Sequence, residues 1–367
     1  MTIISMSKVK QKTVFVGMSG GVDSSVTAGL LKQATPSNFK KLFGRPSPKG
    51  FRGYNVVGVH LRCWNVDGCA EADAEDAHRA AETLQIPFYV FDFEKEYRKK
   101  VVQYMVDGYK KGITPNPDVM CNHEIKFGMF FERAMAMGAD YVATGHYVKL
   151  KDGKLFSAKD STKDQSYFLW MLRKEQLKHC LFPLGDLIKK TEVRRLAKKY
   201  KLPNAEKKDS QGVCFLGQIS LPKFLDEFIK PKKGKILDLH GEVLGEHFGA
   251  HHFTIGQRKG LGVGGSPKPL YVAAKDIAKN IVMLAPEDDE SLYAKEITLS
   301  DINWITKPGK EQLFARVRYR QPVFPITLKG KKVIFKTAQK FIAPGQSAVI
   351  YDKEGCMLGG GVIAGTK

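Results

Sequence analysis

Four apolar runs rich in β-branched and aromatic residues, TVFVGM (13–18), YNVVGVHL (54–61), PFYVFDF (87–93) and DYVATGHYV (140–148), punctuate the first half of the chain. Between and after them SSVTAGLLKQ, AEDAHRAAETLQ, EYRKKVVQYMVDGYKKG and NHEIKFGMFFERAMAMG carry apolar residues at helical spacing. Strand–helix alternation of this kind predicts an α/β fold: a parallel sheet covered by helices on both faces, with ligands at the carboxyl ends of its strands. Helical patterns continue through DQSYFLWMLRKEQL and TEVRRLAKKYK to about residue 203, and LPNAEKKDSQG then reads as a linker or mobile loop. Beyond it one short helix, LPKFLDEFI, is followed by hairpin-like strands with Gly-rich turns. These predict a small mixed or all-β middle module and a C-terminal antiparallel barrel. The expected domains are 1–203, 204–285 and 286–367. TPSNFKKLFGRPSPKGFRGY, between the first helix and the second strand, is long for such a connection and is expected to form a basic surface loop.

A chain of 367 residues is long enough for two or three cores. No apolar run approaches the ~20 residues that cross a bilayer. The opening MTIISMSKVKQK lacks the apolar centre of a secretion signal, so a cytoplasmic location is expected. Lys and Arg number 59 against 38 Asp and Glu, a formal charge of +21. That excess fits a polyanionic partner, although a solvated lysine-rich surface would look the same. The six cysteines, at 63, 69, 121, 180, 214 and 356, show neither C-x-x-C pairs nor a disulfide framework. Each thiol needs its own explanation.

The first strand runs into SGGVDSS and then into a helix. A strand, a glycine-rich turn and a helix N-terminus together present backbone N–H groups and a positive dipole end to an anion. Gly20 and Gly21 let the backbone approach a phosphate, and Ser19 and Ser24 offer hydroxyls. The Lys of the G-x-x-x-x-G-K-[ST] loop is missing. A cradle for β- and γ-phosphates without a cation for γ-transfer suits cleavage between α and β, with pyrophosphate leaving. Asp23 reads as a magnesium ligand or a helix cap. The segment matches the pyrophosphate loop of the ATP-dependent adenylating superfamily, which includes GMP synthetases, argininosuccinate synthetases, tRNA lysidine synthetases and tRNA thiolases.

In TPNPDVMCNHEIKFG, Cys121 is expected just before a helix, where the dipole favours the reactive thiolate. Asp118 lies three residues earlier, and Asn116-Pro117 is expected to shape an extended turn. Cys214 sits in KKDSQGVCFLG, a loop preceded by lysines. Taken singly, either cysteine reads more simply as a small buried hydrophobe. Taken with the glycine loop, GMSGGVDSSV, TPNPDVMCNHEIKFG, ATGHYVKL, KDQSYFLW, GVCFLG, HHFTIGQRKGLG, RVRYRQ and PGQSAVIY resemble, in order and along nearly the whole chain, the bacterial and mitochondrial tRNA-specific 2-thiouridylases, the MnmA/TrmU family.

The resemblance implies an adenine-nucleotide-hydrolase-like catalytic domain. It also implies an ATP-dependent transferase that activates O2 of the wobble uridine of tRNA as an adenylate and replaces it with persulfide sulfur, releasing AMP and pyrophosphate. By the resemblance, Cys214 carries the persulfide, Cys121 completes the transfer with a disulfide between the two afterwards, and Asp118 is the acid/base group. Gly17, Met18, Ser19, Gly20, Gly21, Val22, Asp23 and Ser24 hold the nucleotide phosphates with Mg2+, Asp23 being its candidate ligand. Leu61 and Gly145 line the adenine pocket. Asn116, Pro117 and Asp118 surround an extruded base, because a base within a stacked loop is out of reach. His146, Lys163, Asp164, Gln165, Arg318, Tyr319 and Gln346 contact the tRNA. The implied partners are tRNA and a sulfur-relay or desulfurase protein, with no membrane.

Several features depart from the family pattern. The 35–53 stretch is an insertion, HLRCWN stands where a methionine-containing segment is commoner, and Cys63 and Cys69 have no family role. Two further enzyme readings use the same loop: an iron–sulfur-dependent tRNA thiolase with Cys121, Cys214 and a third ligand such as Asp118 holding a cluster, and a lysidine-type ligase or amidotransferase that needs neither thiol. A non-catalytic tRNA-binding scaffold is the third alternative.

Overall fold

The computed structural model describes residues 11–43, 46–64, 69–208 and 219–367. Five parallel strands form the N-terminal sheet: β1 (Lys12–Gly17), β2 (Tyr54–Arg62), β3 (Phe88–Asp92), β4 (Tyr141–Thr144) and, after a hairpin of β5 (Lys149–Lys151) and β6 (Lys154–Phe156), the short β7 (Cys180–Leu181). Their order is β3-β2-β1-β4-β7. The chain therefore proceeds outward from β1 in one direction and resumes at β4 on the other side. This reversal opens a crevice at the carboxyl ends of β1 and β4, where open α/β sheets bind their ligands.

β1 and β2 are buried on both sides, which is why they read as continuous apolar runs rather than alternating ones. One face packs Phe15, Val57 and Val59 against the 94–110 and 117–136 helices, and the other packs Val14, Val16 and Val56 against Val22–Lys32 and Cys69–Thr83. Both predicted middle helices form, each with an internal π-helical stretch, Arg98–Val102 and Cys121–Met129.

Four strands, β8 (Gly234–Leu237), β9 (Val243–His247), β10 (Leu270–Asp276) and β11 (Ile281–Pro286), form a mixed sheet with its own small core. The barrel follows as β12 (Tyr293–Trp304), β13 (Leu313–Arg316), β14 (Phe324–Lys329), β15 (Lys332–Lys340), β16 (Ser347–Tyr351) and β17 (Cys356–Thr366). β12 pairs with both β15 and β17, closing six antiparallel strands and leaving no free edge among them. The α/β class, mixed middle sheet and terminal barrel are as the sequence predicts. No helix among the described residues is long and apolar enough to cross a membrane.

Three local expectations fail. DQSYFLWMLRKEQL is not one helix: only Ser166–Phe168 and Lys174–Leu177 are helical. Tyr167, Leu169, Trp170 and Leu172 are all buried, wedged between the N-terminal core and the barrel, so their apolar spacing reflects burial on several sides rather than one helical stripe. The 35–53 insertion is not simply a basic loop, because Pro36–Phe43 is a helix whose Phe39 is fully buried against Phe51 and Tyr54. The 140–148 strand stops at Thr144, and the β5/β6 hairpin that follows joins the barrel sheet through β17. The Asp152-Gly153 pair, both with positive φ, was its legible turn signal.

Candidate active site at the carboxyl end of the sheet

The segment 17–24 crosses from β1 to the helix Val22–Lys32. Gly20 has φ +75°, and a Cβ there would stand 2.3 Å from Asp73 O, so only glycine lets the turn pass beneath the Cys69–Thr83 helix. Ser24 Oγ donates to Gly21 O at 3.0 Å and accepts from Ser19 N–H at 3.1 Å. Asn204 holds the turn from outside, its amide donating to Gly20 O at 2.8 Å and Ser25 Oγ at 2.9 Å. Gly21 is the N-cap and supplies no side-chain acceptor, leaving first-turn N–H groups available to an anion. Met18 and Val22 are buried, so their side chains serve the core and only their backbone belongs to the cradle.

Asp23 is engaged on both oxygens: Tyr147 donates its hydroxyl to Oδ1 at 2.7 Å, and Lys189 places Nζ 2.6 Å from Oδ2. This corrects two expectations. The cradle does have a cation, delivered from position 189 rather than by the loop itself. Asp23 as a resident magnesium ligand does not fit, because a nearly buried ammonium already neutralises it and would repel a second cation. Lys189 escaped the sequence reading because 166 positions separate it from Asp23 and its helix looked merely basic.

A cavity of about 310 Å³ opens beside this turn, lined among others by Ser19, Asp23, Leu61, Cys63, Cys121, Lys126, Gly145 and His146. Leu61 and Gly145 lie at the strand ends as part of one cavity lining. A Cβ at Gly145 would come 2.8 Å from Ser24 N, closing the crevice between β1 and β4. His60 Nδ1 sits 3.0 Å from Met18 O and braces the cavity wall. His146 is buried, its Nδ1 2.7 Å from Thr144 Oγ1 and its ring near Phe127 and Phe182. Burial first, and Lys126 second, hold its pKa well below the usual histidine value. It belongs to the wall of the cavity, just past the carboxyl end of β4.

The helix bearing Cys121 starts earlier than its sequence implied. Asn116 is the N-cap, its side-chain oxygen accepting from Val119 N–H at 3.2 Å, and Pro117 fills the first helical position. Cys121 therefore stands a turn inside the helix, at the start of the π-helical stretch, rather than before it. It is 3% exposed and lines the cavity. The carboxyl of Asp118, in the first turn, has no hydrogen-bonded partner among the described residues. Burial lifts its carboxyl pKa above the ordinary range, with Lys126 pulling the other way. Cys63 lines the same cavity, Cys69 opens the next helix, and Cys214 falls outside the described residues.

The barrel reaches this helix through its lead-in. Gln346 donates to Thr114 O at 2.9 Å and Pro115 O at 3.3 Å, and Thr114 N–H donates to Pro344 O at 2.8 Å. Gly345 has φ +90°, and its Cβ would meet the Thr114 backbone at 2.9 Å. Gln346 is thus a clamp on the chain entering Asn116. Asp164 is 2% exposed, ion-paired to Arg316 at 2.9 Å and hydrogen-bonded to Ser166, so burial removes it from tRNA contact. Gln165 accepts from Tyr147 N–H at 3.0 Å and lines the cavity, and Lys163 is half-buried beside it. Arg318 donates to Ile255 O, tying the barrel to the middle module, and Tyr319 packs on Phe168 with centroids 4.4 Å apart.

A family model described as the tRNA methyl transferase HUP domain matches residues 12–45 and 50–218, with a PRC-barrel model over 222–286 and an aminomethyltransferase β-barrel model over 294–363. Over 98% of the chain and 96% of the relative, the sequence is 43% identical to tRNA-specific 2-thiouridylase MnmA 2 of Geobacillus kaustophilus. The tRNA-specific 2-thiouridylase MnmA of Listeria monocytogenes is 43% identical over 95% of this chain and 94% of its own. That of Geobacillus thermodenitrificans is 42% identical over 98% and 96%. The models' descriptions speak of methyl transfer, whereas the curated full-length relatives are thiouridylases.

Proposed function

From the chain's membership of the tRNA-specific 2-thiouridylase family, we propose how its own residues carry out ATP-dependent 2-thiouridine synthesis in tRNA. The observation that carries the reading is the meeting of the 17–24 turn, Lys189-neutralised Asp23 and Cys121 around one cavity. A pyrimidine O2 is a poor leaving group. Attack of that oxygen on the α-phosphate of ATP releases pyrophosphate and leaves O2 attached to AMP. The N–H groups of the turn and the helix dipole take up the charge of the departing pyrophosphate. Magnesium then arrives with the nucleotide and is not held by Asp23.

The terminal sulfur of a Cys214 persulfide attacks C2, and AMP departs with the original oxygen. Cys121 thiolate attacks the Cys214 sulfur, breaking the S–S bond, leaving sulfur on C2 and forming a Cys121–Cys214 disulfide that an external thiol must reduce. Asp118, its carboxyl held toward the neutral form, moves the proton at the pyrimidine. Asn116 and Pro117 set the position of the extruded wobble base. The partners on this reading are tRNA and a protein that delivers sulfane sulfur.

The test incubates the protein with ATP, Mg2+, a persulfide donor and undermodified tRNA, then digests the tRNA for mass spectrometry. 2-Thiouridine at the wobble position is expected, and an unchanged uridine overturns the reading. Cys121→Ala should keep tRNA-dependent pyrophosphate release while losing the thiolated product. Activity after anaerobic purification should not follow iron content, which separates persulfide chemistry from a cluster.

A further inference from the structure

The middle module holds a cluster of side chains that this reaction does not use. Helix Leu221–Asp226 ends in Asp226, and the single turn Ala250–His252 carries two adjacent histidines. His252 Nε2 is 2.8 Å from Asp226 Oδ1, and the His251 and His252 ring centroids are 4.2 Å apart. One ligand atom from each of the three residues lies within 4.8 Å of the others. His251 is 7% exposed, and its Nε2 has no hydrogen-bond partner among the described residues. Leaving a buried imidazole nitrogen unpaired is costly, and a Lewis acid removes the cost. The backbone is shaped around that ring: a Cβ at Gly249 would stand 2.4 Å from His251 Cε1.

We propose that Asp226, His251 and His252 bind a divalent transition-metal ion of the zinc class at an open three-ligand site. Two imidazoles and a carboxylate form a donor set that suits Zn2+, with water completing the coordination. The ion takes the place of the hydrogen bond between His252 Nε2 and Asp226 Oδ1, the neutral His252 ring ligating through Nε2 and carrying its N–H on Nδ1. The His252 side chain is 13% exposed and that of Asp226 37%, so the ion has a way in. Lys275, whose charge bears on His251, is turned to Phe253 O at 2.6 Å and moderates the affinity. The ligands come from two bodies. Phe224 and Leu225 anchor the Asp226 helix in the N-terminal core, while Ala250 and Phe253 belong to the core of the middle module. The ion rivets one to the other, eight positions after the 209–218 segment that carries Cys214.

Full-length protein stripped with a chelator, alongside Asp226→Asn and His252→Gln, is titrated with Co2+ and with Zn2+. The wild type should retain one more ion per chain than either variant, with an affinity difference exceeding the ~10- to 100-fold that outer-shell partners command. The wild-type-minus-variant Co2+ spectrum should show d–d bands without a sulfur charge-transfer band, which separates this site from the cysteines. Zn2+ should raise the melting temperature of the wild type alone, all proteins melting alike in chelator. His251→Phe keeps the ring's volume without a nitrogen, and it too must lose the ion even if the other variants prove unstable. Equal metal content in the wild type and His251→Phe overturns the proposal, as does a difference spectrum made only of thiolate bands.

Discussion

Asp118 and Lys189 show how single charges are placed in this site. Burial raises the folded pKa of Asp118 above its ordinary value of 3.8. Its contribution to stability is then fully present below that unfolded value and is lost as pH rises through the folded one. Wherever the carboxylate is ionised it is a burden on the fold. Asp118→Asn should therefore melt at the same temperature as the wild type or higher near neutral pH, with the gap closing on acidification, while turnover falls by about 10²- to 10⁴-fold. A lower melting temperature at neutral pH would mean that the carboxylate has a stabilising partner, and the acid/base assignment would lose its physical basis. Lys189 is a stabilising charge. Its side chain is 8% exposed and that of Asp23 26%, so Lys189→Met strands a carboxylate and should cost about 3 kcal/mol by denaturant titration. Adding Asp23→Asn should restore most of that stability without restoring ATP affinity, which isolates the ammonium's part in nucleotide binding.

At the scale of elements, the helix that presents Cys121 is aimed from both ends of its lead-in. Asn116 caps it and Gln346 grips Thr114 and Pro115 from the barrel. Asn116→Ala should cost about 1 kcal/mol of stability. Gln346→Ala should lower kcat several-fold and change the Kd for tRNA by less than about twofold, the signature of misplaced chemistry rather than lost substrate contact. The reverse split would return Gln346 to the tRNA-contacting role that the sequence implied. The apolar spacing of NHEIKFGMFFERAMAMG was enough to expect a helix after Cys121, yet the thiol's place inside it was not legible. Capping depends on which side chain turns back onto the backbone, and that was settled by where the barrel holds residue 114. The 164–177 stretch was misread for a related reason: burial between two bodies imitates helical periodicity.

For the whole molecule, the formal charge of +21 should make tRNA binding steeply salt-dependent, with some ~10³-fold lost between about 50 and 200 mM salt if six phosphates are contacted. A flat salt profile in a filter-binding series would leave the charge unexplained by RNA. The barrel is joined to the catalytic domain by the buried Asp164–Arg316 pair, by Ser166 Oγ 2.9 Å from the Tyr351 hydroxyl and by Trp170 donating to Ser347 Oγ at 2.9 Å. These contacts make one cooperative body of two motifs that look independent along the chain. The sequence by itself determined the parallel sheet, the glycine turn at the end of β1 and the closing barrel, since burial periodicity and backbone permissiveness are written in neighbouring residues. Only the tertiary structure decided that Lys189 neutralises Asp23, that His146 and Asp164 are interior, and that Gln346 clamps the catalytic helix. The Lys189–Asp23, Asp164–Arg316 and Gln346–Thr114 pairings join positions more than a hundred residues apart. Coulombic and hydrogen-bonding partners are fixed by distance in space, and a linear pattern does not contain that distance.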